Sequence, residues 1–369
     1  MRLIILCLLA FGWGSGSAAA DEQRTLPSLQ GLLGDIQVRQ SIAVDQLARG
    51  SVHRFYVPGG KMPTGQEWLV PVVVIRGAQE GPKFLVTAGV HGDELNGIGV
   101  AHKLIDTITP SGLTGTLTIV PGVNVPGLLA GTRNYPFVNG TGGGTNLNRE
   151  MPGDSASNDP GVRYAAAVWR GIIEGNADFA IDLHTQSTGT AYALYAFADM
   201  RSKPVKEMAM LLGAEMIKID PGQAGTVETT LNAAGVPAIT FEIGAPNVYQ
   251  YDLIDTAYDG LIRVMAAKDM LPGVTPKPIA QEPIIGNDTV NVSARIGGIV
   301  VRRKGLLDPV EEGEVVAESR DAFGRVIATY KAPVGGHVAA IGTNPVREEG
   351  ALIVRILTNN KSRACKHGC

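Results

Sequence analysis

The stretch FLVTAGVHGDELNGIGVAHKLI, residues 84–105, decides how the rest of the chain is read. Phe84 to Val90 is a near-continuous apolar run, the pattern of a strand buried on both faces of a sheet. Leu95, Ile98, Ala101, Ile105 and Ile108 then recur at helical spacing. Between the two lies His91-Gly92-Asp93-Glu94. His and Glu three apart at a helix start project to one side and can hold a single metal ion, and Gly92 keeps the turn uncrowded. The pair H-x-x-E is common by chance. Its place at the carboxyl end of a strand gives it weight, because open α/β sheets gather ligands there.

The same alternation extends in both directions. Trp68 to Ile75, Leu117 to Val120, Phe179 to Leu183 and Ala238 to Ile243 read as buried strands. A helix is expected from Asp159-Pro160 through Ile173, with Pro in its first turn, and another over Pro204 to Ile217. Strands and helices in alternation predict a three-layer α/β/α domain. After Leu271-Pro272-Gly273 the helices stop and short Gly- and Pro-punctuated runs take over, which predicts a small C-terminal all-β module. That module carries a faint echo. Gly297-Gly298-Ile299-Val300 followed by Pro309-Val310-Glu311-Glu312-Gly313 returns, roughly 36 to 38 residues later, as Gly335-Gly336-His337-Val338 and Pro345-Val346-Arg347-Glu348-Glu349-Gly350. Lipoyl- and biotin-carrier domains have this flavour. Lys331 lacks the surroundings of a modified lysine, so a passive lid or spacer is the expectation. The boundaries read as a signal peptide over 1–20, a hydrolase domain over 21–275, the β module over 285–358 and a tail over 359–369.

Composition excludes several classes. Of 369 residues 44% are hydrophobic and 18% charged, enough apolar surface for a core and no case for global disorder. Lys and Arg total 32 against 35 Asp and Glu, with no basic block, which argues against nucleic acid as a partner. Met1 to Ala20 has an early Arg, an apolar stretch from Leu3 to Trp13 and a small-residue end, the build of a cleavable signal peptide. The expected location is therefore periplasmic or secreted, with cleavage before Asp21 and no stable membrane insertion afterwards. In an oxidising compartment Cys365 and Cys369 could close a small disulfide. His367 between them invites a metal reading, but a terminal tail is a poor ligand platform.

Three further pieces carry chemistry. Asp182-Leu183-His184 closes an apolar strand about ninety residues after His91. With His91 and Glu94 it completes two imidazoles and one carboxylate, the ligand set of a catalytic zinc with a fourth position for water. Taken alone, His184 reads as an ordinary packed core histidine. Asp182, two residues earlier on the same side of the strand, could orient that imidazole. Arg133, and Asn148 with Arg149 in Asn146-Leu147-Asn148-Arg149, flank a glycine-rich loop, VNGTGGGT. One arginine near a metal can stabilise an oxyanion and another can grip a carboxylate, although a surface pair would look the same. Glu242 follows an apolar strand in Thr240-Phe241-Glu242-Ile243-Gly244 and must be either a catalytic base or half of a buried ion pair. Glu228 could line a substrate pocket. His102 reads as a packing residue rather than a fourth ligand, and His53 and His337 as surface groups.

Together these motifs resemble a known family. HGDE, N-x-x-x-L-x-A-G-x-R, NLNR-x-x-PG, DLHT and FEIG occur in the order seen in the succinylglutamate desuccinylase/aspartoacylase family, relatives of the zinc carboxypeptidases, between about Pro71 and Gly244. The resemblance implies one Zn2+ per chain held by His91, Glu94 and His184. It makes Glu242 the general base, has Arg133 polarise the scissile carbonyl, and gives Asn148 and Arg149 the substrate carboxylate. It also implies a single mixed sheet flanked by helices, with a β domain near the active-site mouth. One position departs from the pattern. Relatives often have Asp where this chain has Asn146, a neutral support for the first histidine.

The expected activity is an exported zinc-dependent deacylase acting on an N-acyl amino acid or related small amide, by metal-activated water with a Glu base. A metallocarboxypeptidase acting on peptides or cell-wall stems is the alternative. A binding protein without turnover is a third reading, opposed by the intact Glu242 and both arginines.

Overall fold

The computed structural model describes residues 36–136 and 143–369. The expected signal peptide and most of the glycine-rich loop lie outside the described residues. The main sheet takes ten strands from β1 (Gln37–Val38), β2 (Ser51–Lys61), β3 (Glu67–Arg76), β4 (Gln79–Ala88), β5 (Thr114–Val120), β6 (Phe179–His184), β7 (Thr190–Tyr192), β8 (Leu194–Ala198), β9 (Met216–Ile219), β10 (Ala238–Ile243) and β11 (Ile284–Gly286). Their order is β1-β2-β3-β5-β4-β6-β10-β8-β9-β11, with β7 left out to pair elsewhere. The centre, β5-β4-β6-β10, is parallel throughout, and antiparallel pairs occur at β2/β3, β3/β5 and β10/β8. The sheet is mixed and mostly parallel, as the resemblance implied.

Helices cover both faces. Helix α1 (Leu95–Thr107), α2 (Val125–Ala130), α3 (Pro160–Val168), α4 (Lys203–Leu211), α5 (Val227–Ala233) and α6 (Tyr251–Ala267) follow in chain order. Phe84, Val86 and Ala88 of β4 pack with α1, α4 and α6 in one core, whereas Leu85 packs on the other side with α3 and α5. Burial on both sides explains the unbroken apolar runs. Two helix expectations change. The stretch from Pro160 ends in a π-type turn at Trp169–Ile173. The helix expected over 204–217 stops at Leu211, because Gly213 adopts φ 70° and the next four residues that pair, Met216–Ile219, enter the sheet as β9.

The C-terminal module is two antiparallel sheets. One runs β12 (Asp288–Ser293), β19 (Leu352–Thr358), β17 (Gly336–Gly342), β14 (Pro309–Val310). The other runs β16 (Val326–Lys331), β15 (Val315–Arg320), β13 (Gly298–Arg302), β18 (Val346–Arg347). Val300, Val316, Tyr330, Val338, Val354 and Ile356 fill the space between them. The sequence echo has a structural meaning. The Pro-Val strand of the first repeat, β14, pairs with the Gly-Gly strand of the second, β17, and the second repeat's β18 pairs with the first repeat's β13. Each repeat thus completes the sheet begun by the other.

The module is joined to the main sheet through strands. β7 leaves the α/β region to pair with β17, Ala340 opposite Tyr192, while β11 adds to β9 of the main sheet. Cys365 and Cys369 form a disulfide in the tail. Among the described residues no helix is long and apolar enough to cross a membrane.

Candidate active site

The site forms at the carboxyl ends of the parallel strands. β4 ends at Ala88, and the turn that follows carries His91 before α1 begins with Glu94 at its N-cap. A Cβ on Gly92 would lie 2.1 Å from the Gly127 carbonyl carbon, so only glycine lets this turn pack on α2. The Gly92 amide also donates to the Arg133 carbonyl at 3.1 Å, tying the two motifs together. His184 is the last residue of β6, and Glu242 is its register partner on β10.

His91, Glu94 and His184 converge, fully buried, with one donor atom of each lying within 4.8 Å of the others. The two Nδ1 atoms are 3.2 Å apart, His91 Nδ1 is 2.9 Å from Glu94 Oε1, and His184 Nδ1 is 2.8 Å from Glu94 Oε2. Metal–ligand bonds near 2.1 Å in a tetrahedral site put ligand atoms about 3.4 Å apart, so a small divalent cation would need these groups to spread by only a few tenths of an ångström. The outward nitrogens are occupied. His184 Nε2 meets Asp182 Oδ2 at 2.7 Å, and Thr87 Oγ1 donates to Asp182 Oδ1 at 2.6 Å. His91 Nε2 meets Asn146 Oδ1 at 2.9 Å. A ring nitrogen fixed outward by an acceptor leaves the other one for a metal. Asp182 therefore orients His184, and Asn146 occupies the supporting position on His91.

Electrostatics follow from burial and these contacts. Burial lowers the His91 imidazole, with Glu94 opposing it. Burial alone would lower His184 as well, but Asp182 and Glu94 hold it well above its usual value. The Glu94 carboxyl, which burial would raise, is held well below its usual range by the two histidines. Glu242 is pushed up to about 8 by burial, against the pull of His184, and its Oε2 is buried without a hydrogen-bond partner.

Arg133 reaches Glu94 through Nη1 and is partly exposed. Asn148 is buried, its Oδ1 accepting from the Val227 amide at 3.0 Å and its Nδ2 lying 3.4 Å from His184 Nε2. Arg149 is exposed beside it, and its carbonyl packs on Gly225, which turns with φ 81°. All of His91, Arg133, Asn148, Arg149, His184 and Glu242 line one cavity of about 380 Å³.

The cavity also has walls the sequence did not announce. Gln186 and Tyr192 follow the DLHT motif, Phe197 and Asp220 come from β8 and the end of β9, and Arg355 comes from β19 of the C-terminal module. Arg355 Nη1 donates to the Tyr192 hydroxyl at 2.5 Å and its Nε to Asn291 at 2.8 Å. The expected spacer thus supplies a side chain to the site. Gln186, two residues past His184, could have been suspected from position alone; Arg355 is a lone cation in the apolar run of residues 352–357, a signal carried by a module expected to be only a spacer. Glu228 lines the cavity as expected. His102 is exposed on α1, opposite the buried Ala101 and Leu104, so it neither packs nor reaches the cluster. His53 and His337 lie away from it, His53 bonding to the Ala48 carbonyl at 2.9 Å.

Comparison with known proteins agrees with this geometry. A curated relative from Halomonas elongata, N-alpha-acetyl-L-2,4-diaminobutyric acid deacetylase, is 26% identical over 321 residues, covering 81% of this chain and 89% of the relative. The product-bound ectoine utilization protein EutE (DoeB) from Ruegeria pomeroyi superposes with a TM-score of 0.74 at 22% identity, covering 87% of this chain and 100% of that one. A succinylglutamate desuccinylase/aspartoacylase from Rhodobacter sphaeroides gives 0.73 at 18% identity, covering 87% and 99%. Residues 80–267, the span that holds every ligand and motif described above, match the model of the succinylglutamate desuccinylase/aspartoacylase catalytic domain, and the chain belongs to that family.

Proposed function

We propose that this chain is an exported zinc-dependent amide hydrolase that removes an acyl group from an N-acyl amino acid or related small amide. The observation that carries the reading is the convergence of two histidines and a glutamate at ligand spacing, beside the unpartnered Oε2 of Glu242, on one small cavity. Family membership and the deacetylase name of the Halomonas relative support the acyl-transfer chemistry. A cavity of about 380 Å³, closed on one side by Arg355 of the β module, suits a small molecule and lies at the low end for ligand pockets. That favours the deacylase over the peptidase. Export rests on residues 1–20 and on the Cys365–Cys369 disulfide, which suits an oxidising compartment.

In this reading His91, Glu94 and His184 would hold the ion, which would supply Lewis-acid polarisation and acidify water when bound. Glu242 takes the proton from the attacking water at Oε2 and returns it to the departing nitrogen. Its raised acidity constant suits a group that must both accept and give a proton. Arg133 donates to the carbonyl oxygen as negative charge develops there. The free donors of Asn148 and Arg149 receive the substrate carboxylate.

Glu242→Gln should purify with zinc at one equivalent and lose about 10²- to 10⁴-fold in kcat. Full turnover in that variant removes Glu242 as the base. A panel of N-acetyl amino acids and short peptides decides the substrate, and hydrolysis of peptides alone overturns the deacylase reading.

A further inference from the structure

The cavity holds an acid that the proposed chemistry does not use. Glu228 sits in the first turn of α5, only 4% exposed. Its Oε2 accepts from Thr240 Oγ1 at 3.1 Å, and its Oε1 is buried with no hydrogen-bond partner. Among the described residues no Lys, Arg or His pairs with it. Its neighbour on the cavity wall, Asp220, is different: Lys218 Nζ lies 3.4 Å from Asp220 Oδ2, and the Gly222 amide donates to Asp220 Oδ1 at 3.0 Å. One acid is thus matched by a cation of the chain, and the other, on the wall of the same cavity, keeps a buried carboxyl oxygen with no partner. A buried carboxyl with an open oxygen costs stability unless something completes it.

The position of Glu228 gives a ruler. Thr240, its hydrogen-bond partner, and Glu242 are two residues apart on β10, so both point to the same side and lie about 7 Å apart. Glu242, Phe197 and Glu228 line the same cavity, so a substrate with its amide beside Glu242 can present its side chain to the Glu228 wall. Three arginines, Arg133, Arg149 and Arg355, line the same cavity.

We infer that Glu228 is a specificity-determining residue that receives an ammonium group on the side chain of the amino-acid half of the substrate, so that the preferred substrates are Nα-acyl amino acids with a short basic side chain. This rests on the deacylase reading above. Burial and the nearby Asp220 push the Glu228 acid up to about 8, and Asp182 and Asp199 add to this while the Thr240 hydroxyl opposes it. An arriving ammonium supplies the charge that is otherwise missing.

The test compares Nα-acetyl-L-ornithine with Nα-acetyl-L-norvaline, which has the same carbon chain without the amine. The wild-type protein should prefer the ornithine compound in kcat/KM. In Glu228→Gln, which can keep the Thr240 hydrogen bond, the ornithine-to-norvaline ratio should fall about 10- to 100-fold, the range of a hydrogen bond to a charged group. Glu228→Asp, which keeps the charge, should restore part of that ratio. A merely structural glutamate would leave the ratio unchanged in both variants, and that result overturns the inference. A wild-type protein that turns over both compounds without preference also overturns it while leaving the deacylase reading intact. If neither compound is hydrolysed, the wider panel of N-acetyl amino acids and peptides decides the deacylase reading. Calorimetric binding of free L-ornithine against L-norvaline then decides the subsite: discrimination that Glu228→Gln abolishes upholds it, and equal binding overturns it.

Discussion

The cavity is lined by two kinds of wall, assembled by different routes. His91, His184 and Glu242 sit at or within three residues of the carboxyl ends of three adjacent parallel strands, β4, β6 and β10, and Glu94 caps the helix that follows β4. The sheet register alone brings them together, with His184 directly opposite Glu242. Tyr192, Phe197, Asp220, Glu228 and Arg355 come instead from an edge strand, an antiparallel strand, a loop, a short helix and a separate β module. The first wall depends on main-chain geometry that any member of this fold must keep. The second depends on local pieces that can change without disturbing that geometry. In the proposed function, reaction type belongs to the first and substrate choice to the second.

The largest effect that would sharpen this division is on the cation-binding side. Asp182→Asn keeps the shape of the contact to His184 Nε2 but removes its charge. Metal affinity should fall about 10- to 100-fold, read by competition with a chelator, while the ornithine-to-norvaline ratio of the residual activity stays as in the wild type. A changed ratio with unchanged metal affinity would break the separation between the walls.

The opposite experiment acts on the module. Arg355→Ala removes the donor to Tyr192 and a cation from the cavity. We expect KM to rise about tenfold, the worth of one hydrogen bond to a charged group, with metal content unaltered by elemental analysis. No kinetic change at all would mean that the module is only a spacer after all, and loss of metal would break the separation between the walls.

This contrast also explains what could be read in the sequence. The first wall was legible because each of its residues interrupts or closes an apolar run, and a polar group there needs a reason. Asp182 was visible for the same reason, through the period of two that puts it beside His184. The second wall is harder to read. Glu228 was expected at the pocket, but Tyr192 lies on a three-residue strand whose partner is more than a hundred residues away, and Arg355, although it interrupts the apolar run of residues 352–357, belongs to a module whose placement beside the site the spacing does not give. The same long-range pairing misled the helix reading at 204–217, where Gly213 ends the helix and the sheet captures Met216–Ile219. The repeat in the β module was legible as a period, but its exchange of strands was not, because sequence spacing carries no information about which sheet a strand joins.

The smallest effect concerns the one departure from the family pattern. Asn146 Oδ1 accepts from His91 Nε2 at 2.9 Å and from the Asn148 amide at 3.1 Å, so one amide oxygen both supports a ligand and caps the turn that carries Asn148 and Arg149. Asn146→Asp can make both bonds with a charged acceptor, which strengthens them and makes the His91 ring more basic. Against this, a further negative charge enters a cluster that already contains Glu94 and Asp182. The ligand effect should prevail once a dication is present, because the added charge is then attracted as well as repelled. Because the change replaces a neutral acceptor rather than deleting one, we expect metal affinity to rise about threefold to tenfold. Chelator competition measures it directly. Weaker binding in Asn146→Asp would show that Asn146 serves the turn rather than the metal, and a shifted ornithine-to-norvaline ratio would show that the two walls communicate through the Asn148–Val227 contact, the hydrogen bond that joins the NLNR turn to the helix of Glu228.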